Sequence, residues 1–363
     1  MDHDASPMTV SNLAELLQAS QSDYRVYEMG RRVQTIAREQ FEAISAQQQA
    51  YPCPTQAKAR FAIEFWPQLV QVQYPFIWFI EMPIDERGLL DLEAQQHFIQ
   101  QVVALLGHQL GAELTEEQQQ QLQQSPYIFT PDQQRLAALH ARLTRLWQQP
   151  PSVYYEMAQS ALCDGASAWQ QLGLQGIHDV LARLIDEPKT AAAIVQNFSH
   201  YPPEFCQLLA QAASHQQLPK TMLAAFCAQQ QLWQKPSAQR LAALELMSSA
   251  TAEQFAECFE QVLQQPSGDE LLLCAARLWH ILTPQPTDNF SAEQLHRYLS
   301  QLAKHACANQ DFNLSNAIVL DLLRLPDLKA FVLAFMRSSD HPEVMTIWQQ
   351  LLLQLEEQRK GAN

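Results

Sequence analysis

Glycine is scarce in this sequence, with nine residues among 363. The glycine-rich loops that cradle phosphates are correspondingly missing: there is no P-loop and no G-x-G-x-x-G. The G-x-S-x-G nucleophile turn and the H-E-x-x-H zinc helix are absent too. The cysteines number seven and include no C-x-x-C pair, which fits free buried thiols in a reducing compartment better than a disulfide framework. No apolar run approaches the ~20 residues that span a bilayer, so a membrane partner is not expected. The opening MDHDASPMTVSNL has neither a basic segment nor an apolar core and does not fit a secretory signal. The expectation is a cytoplasmic protein.

Positive charge is also in short supply. Lys and Arg total 23 against 38 Asp and Glu, a net charge of −15 spread along the chain. A protein that tracks phosphates needs a basic patch, and only Arg31-Arg32, with Arg25 and Arg38 nearby, resembles one. Nucleic acid is therefore not expected as a partner unless the fold gathers these four arginines on one face.

Apolar residues, at 47%, are plentiful, and the length favours two domains over one core. Glutamine is overused, with runs at Gln47–Gln49 and Gln118–Gln121. Regularly spaced Leu and Ala around them point to solvated helix faces.

The first region mixes strands and helices. SNLAELLQAS reads as a short helix burying Leu13, Leu16 and Leu17. YRVYEMGRRVQTIA reads as a hairpin in which Gly30 supplies the positive φ of a tight turn. EQFEAISAQQQ is read as helical, and Pro52 and Pro54 then break the chain. ARFAIEFW and FIWFIEM alternate as strands with apolar residues on both faces, which predicts cover on both sides, with Trp78 and Phe79 on a central strand. Glu64 and Glu81 fall late in these strands, where a face can open to water. Pro83 ends the second strand. A helix follows with Asp91 as N-cap, Gly107 as stop, and a stripe of Leu92, Phe98, Ile99, Val102, Val103 and Leu106.

Beyond about residue 115 the period is helical. Four capping boxes mark helix starts: Thr115–Gln118, Thr130–Gln133, Thr251–Gln254 and Ser291–Gln294. Helix ends recur as LWQQPPS, LWQKPS, VLQQPS and LLRLP, closing at Pro150, Pro236, Pro266 and Pro326. Helices joined by short proline-marked turns predict stacked antiparallel pairs, as in HEAT-like arrays, burying Leu271, Cys274, Leu278 and Ile281 and leaving Gln and Glu on open faces. An irregular helical bundle is the other packing the pattern admits.

Three constellations could carry chemistry. The acids Glu81, Asp85, Glu86, Asp91 and Glu93 around the IDERG turn could hold a hard cation. No basic or hydroxyl partner of characteristic spacing accompanies them, however, and they are read as a solvated polar turn ahead of a helix N-terminus. His178-Asp179, with His140 upstream, shares only its residue types with metal-dependent phosphohydrolase sites, and its place beside the Ile177, Val180, Leu181, Leu184 stripe suits a solvated edge. His296 and His305, nine residues apart, fall on opposite faces of one helix, so with Cys307 they read as rim residues. Cys206, Cys227, Cys258 and Cys274 sit in apolar helical stretches and read as buried structural thiols.

SDYRVYEMGRRV, YPFIWFIEMPIDERGLLDLE and WQQLGLQGIHDVLARL, in this order, resemble a gammaproteobacterial family catalogued as domain of unknown function 3549. The resemblance implies a bacterial cytoplasmic protein and carries over no catalytic residue. The chain is thus expected to be α+β: a small mixed α/β N-terminal domain with about four strands (1–112), then an all-α HEAT-like helical-repeat or irregular bundle domain (113–363). No catalytic, cofactor-binding or metal residue and no cofactor is assigned. The functional expectation is a non-catalytic adaptor or chaperone-like protein that binds a protein partner. The alternative is an enzyme with an unrecognised inter-domain site, in the form of a metal-dependent hydrolase.

Overall fold

The computed structural model describes residues 10–68, 75–106, 110, 115–166, 168–284 and 289–361, with backbone alone for 289–291 and 361. The chain divides into two compact units, Met1–Asp132 and Gln133–Asn363.

The first unit runs α1 (Leu13–Ala19), β1 (Ser22–Glu28), β2 (Gln34–Ile36), α2 (Arg38–Ser45), β3 (Lys58–Pro67), β4 (Phe76–Pro83), α3 (Leu92–Leu106) and α4 (Glu116–Gln123). Its four strands form one antiparallel sheet in the order β2-β1-β3-β4. Period-2 alternation sends Phe61, Ile63 and Phe65 of β3 to the same face as Trp78 and Ile80 of β4, their register neighbours. Helices α2 and α3 cover that face, with Phe41 edge-on to Phe61 and Phe98 edge-on to Trp78.

The structure revises several expectations. β1 and β3, not β4, are the interior strands. β4 is the last strand in the sheet order, and residues 127–129 lie along its outer edge, where Glu81 N donates to Tyr127 O (2.7 Å) and Phe129 N to Phe79 O (3.2 Å). Trp78 is buried, but Ile77 and Phe79 on the opposite face are only half-buried. Glu64 does not meet water: it is fully buried beneath Tyr27 Oη (3.0 Å), with Arg25 at 3.4 Å. The hairpin forms, but Gly30 does not supply a positive φ. Gln47–Gln49 lie in the turn that closes α2 rather than on a helix face. Leu92 opens α3 and is exposed, while Gln95 takes a buried place and donates to Ser45 O (3.2 Å). Asp91 caps α3 through Ala94 N; Gly107 lies outside the described residues.

The second unit contains α5 (Gln133–Leu146), α6 (Tyr155–Cys163), α7 (Leu174–Arg183), α8 (Pro188–Asn197), α9 (Pro203–Ala213), α10 (Lys220–Cys227), α11 (Gln230–Trp233) and α12 (Ala238–Leu246). There follow α13 (Ala252–Gln264), α14 (Gly268–Arg277), α15 (Trp279–Leu282), α16 (Asn289–Asn309), α17 (Asn313–Leu322), α18 (Pro326–Ser338) and α19 (Pro342–Gly361). They stack in two rows. One row is α5, α7, α9, α12, α14, α17 and α19, each packed on the next; the other is α6, α8, α10, α13, α16 and α18. This alternation is the pattern of stacked helix pairs, in which each pair leans on its neighbours. Polar bonds between successive members of a row join residues 27 to 44 apart, among them Cys227 to Gln254 O, Arg240 to Glu270 and His178 to Gln134.

Thr115 and Thr251 cap α4 and α13 with complete capping boxes. Thr130 does not cap α5, which starts at Gln133, because the 127–129 segment is held extended against β4. The Ser291 side chain lies outside the described residues, and α16 is already helical at Asn289. Leu271, Cys274, Leu278 and Ile281 are all buried, but not every acid or amide faces water: Glu245, Glu270 and Gln294 are buried as well.

Candidate functional site

Three consecutive members of one row, α9, α12 and α14, frame a cavity of about 610 Å³. Local sequence sets each helix. Pro203 stands at the first turn of α9, where its missing N–H is no loss. Ser237 caps α12 by accepting Arg240 N, and Ser267 and Glu270 form a capping box on α14. The helical repeat then aims Glu204, Gln207 and Gln211 from α9, Leu241 and Glu245 from α12, and Asp269, Leu272, Leu273 and Arg277 from α14 into one space.

Two ion pairs hold the α12–α14 wall. Near the helix starts, Arg240 and Glu270 are fully buried and bidentate, with Nε and Nη2 both 2.6 Å from the carboxylate. Arg240 also donates to Trp233 O and Gln265 O. Near the helix ends, Arg277 lies 3.5 Å from Glu245. Start facing start and end facing end makes α12 and α14 parallel, as successive helices of one row should be. Burial pushes the Glu245 carboxyl above its usual range, although Arg277 pulls it down. The cavity therefore combines three carboxylates (Glu204, Glu245, Asp269) with one guanidinium, and Leu272 stands half-exposed among them. Its chemistry suits a cation attached to an apolar body.

The acids of the IDERG turn have local duties. Glu81 is gripped by Lys58 and Arg60 across the strand. Asp85 accepts Arg87 N and Leu89 N and pairs with the Arg87 guanidinium (2.8 Å). Against the upward push of desolvation, these contacts hold its carboxyl below the usual range. Gly88, at φ +82°, completes the turn. Glu86 and Glu93 are exposed. Among the described residues, no three His, Cys, Asp or Glu side chains gather as a metal site.

His178 and Asp179 are not on a solvated edge; both are fully buried. A single-stripe reading assumes one packing partner, whereas α7 packs on α5, α6 and α9 together. Asp179 accepts Ser152 N (2.9 Å) and Gln175 Nε2 (3.0 Å), and His178 Nε2 meets Gln134 Oε1 (2.8 Å); His140 is exposed. His296 stacks on Phe335 of α18, while His305 contacts Asn309 one turn further along α16. The four arginines each have partners inside the first unit. Arg25 pairs with Glu64 and lies over Trp66, and Arg31 is buried against Pro54 O. Arg32 reaches Gln34, and Arg38 reaches Asp23.

The cavity itself escaped the sequence reading. Its signal was present in Ser267-x-x-Glu270, a capping box directly after Pro266, but nothing in the spacing shows that α9, α12 and α14 become neighbours. A family model described as a protein of unknown function (DUF3549) matches residues 8–351. No curated protein and no solved structure matches the chain.

Proposed function

Because the chain belongs to this family, whose description assigns no activity, we propose a function from the chain's own surface: a non-catalytic adaptor or chaperone-like protein, acting in the cytoplasm, whose helical array binds a protein partner. Stacked helix pairs offer extended binding surfaces, and the α9–α12–α14 cavity is a candidate on this one. The observation that carries the reading is its composition, three carboxylates around leucines with a single guanidinium. Such a surface complements a basic amphipathic segment, whose Lys or Arg would meet Glu204, Glu245 and Asp269 while its apolar face covers Leu272.

The test is carboxylate-to-amine crosslinking of the complex purified from the native host, followed by mapping of the linked peptides. Links from Glu204 or Asp269 to a lysine of the partner are expected, and Glu204→Lys with Asp269→Lys should abolish them. Links confined to residues 1–132 would make the helical array a support and overturn the assignment.

A further inference from the structure

The opposite row contains a pair of thiols that the proposed binding surface does not use. Cys227 is the last residue of α10 and Cys258 lies in the middle of α13, its row neighbour. Their hydrogen bonds interlock: Cys227 Sγ donates to Gln254 O (3.4 Å), one turn before Cys258, and Cys258 Sγ donates to Cys227 O (3.6 Å). Each sulfur thus sits against the other's helical turn. Cys227 is half-buried, whereas Cys258 is buried.

We infer that Cys227 and Cys258 form a peroxide-sensitive dithiol, with Cys227 as the attacking sulfur and Cys258 as the resolving one. The Cys227 thiolate attacks one oxygen of hydrogen peroxide, the O–O bond breaks, and hydroxide leaves as water after taking a proton. This yields a sulfenic acid on Cys227. Cys258 then attacks that sulfur, the S–O bond breaks, and a second water leaves. Overall, two thiols are oxidised to one disulfide and one peroxide is reduced to two waters. A small-molecule thiol reverses the step by exchange.

The assignment of roles agrees with the electrostatics. Hydrogen bonding from Cys258 draws the Cys227 thiol below its usual range, against burial and the nearby Glu257 carboxylate. The same contact, with burial, pushes Cys258 up. Burial also pushes up Cys163, Cys206, Cys274 and Cys307. A low-pKa, accessible thiol beside a resolving partner is the arrangement of redox-responsive cysteines.

Linking residues 31 apart in sequence would fasten two successive helix pairs, which stabilises the array by restricting its unfolded chain. The reduced full chain is treated with hydrogen peroxide, free thiols are blocked, and the disulfide-linked peptides are mapped. A Cys227–Cys258 link forming at least tenfold faster than oxidation of Cys163 or Cys307 is expected, with a raised thermal midpoint that dithiothreitol reverses. Cys258→Ala should leave Cys227 trapped by a sulfenic-acid probe such as dimedone, and Cys227→Ala should abolish both products. Oxidation at equal rates on all accessible cysteines, or a preferred link between other residues, would overturn the inference; the wild-type experiment decides this even if a variant misfolds.

Discussion

Gly30 and Gln148 have exchanged the roles that their residue types suggest. Gly30 lies outside the left-handed region, and it is needed for space: a Cβ there would stand 2.8 Å from Glu28 Oε1 and 2.9 Å from Thr55 Oγ1. Glu28 folds back over this loop to accept the N–H groups of Gly30, Arg31 and Arg32. Gly30→Ala should therefore cost about 1–3 kcal/mol, as overpacking does, read from urea midpoints; no change would show that the loop yields freely. Gln148, by contrast, adopts φ +54° at the end of α5. Its N–H bonds Arg145 O and the next N–H bonds Thr144 O, the Schellman pattern that usually recruits glycine. Gln47 and Gln310 close α2 and α16 in the same way. In a glycine-poor chain, glutamine fills left-handed caps at a conformational cost of about 1–2 kcal/mol. Gln148→Gly should raise stability by up to about 1 kcal/mol, net of glycine's greater unfolded-state entropy. A loss on the same measurement would mean that the Gln148 side chain contributes more than its backbone strain costs. The hairpin was legible from Gly30's position between two β-leaning segments, but its reason was not, because crowding by Glu28 and Thr55 depends on contacts that no local pattern records.

At the scale of elements, Pro-Ser pairs mark both an end and a beginning. Pro236 and Pro266 follow α11 and α13, and the next residues, Ser237 and Ser267, cap α12 and α14. The proline-marked ends and the capping boxes at Thr115 and Thr251 made some helix boundaries readable. Arg240–Glu270 was not readable: thirty residues separate the partners, and only the packing of α14 on α12 joins them. Arg240→Ala should destabilise the protein by about 3–5 kcal/mol, because it strands a buried carboxylate. Adding Glu270→Ala should recover part of that loss, and strictly additive effects would show that the two do not act as a pair. In the sheet, burial pushes the Glu81 carboxyl up, but hydrogen bonds and charge from Lys58 and Arg60 bring it below its ordinary value of 4.5. A depressed carboxylate contributes stability that is present above pH ~4.5 and lost as pH falls through the folded-state value. The penalty of Glu81→Gln in urea should accordingly shrink between pH 6 and pH 3. A penalty independent of pH would refute the linkage.

For the whole molecule, the α+β class and the paired stacking were legible from periodicity and turn residues, because each depends on local spacing. The two-row order, the burial of His178-Asp179 and the α9–α12–α14 cavity were not, since they follow from which helices become neighbours. Deleting Ser237–Gln265 removes α12 and α13, one member of each row, and takes Arg240 from Glu270. The remaining helical unit should melt at a lower temperature and over a broader range, as followed by circular dichroism; an unchanged sharp transition would show that successive pairs do not depend on one another.

The separation of 27 to 44 residues between bonded neighbours in a row has a kinetic consequence. Ordering such contacts closes only short loops, and loop-closure entropy is what slows folds built from distant pairings. The helical unit should therefore be able to assemble from any interior pair and to open from its last helix without disturbing the middle. Amide hydrogen exchange would display this as protection that climbs stepwise from α19 toward α12.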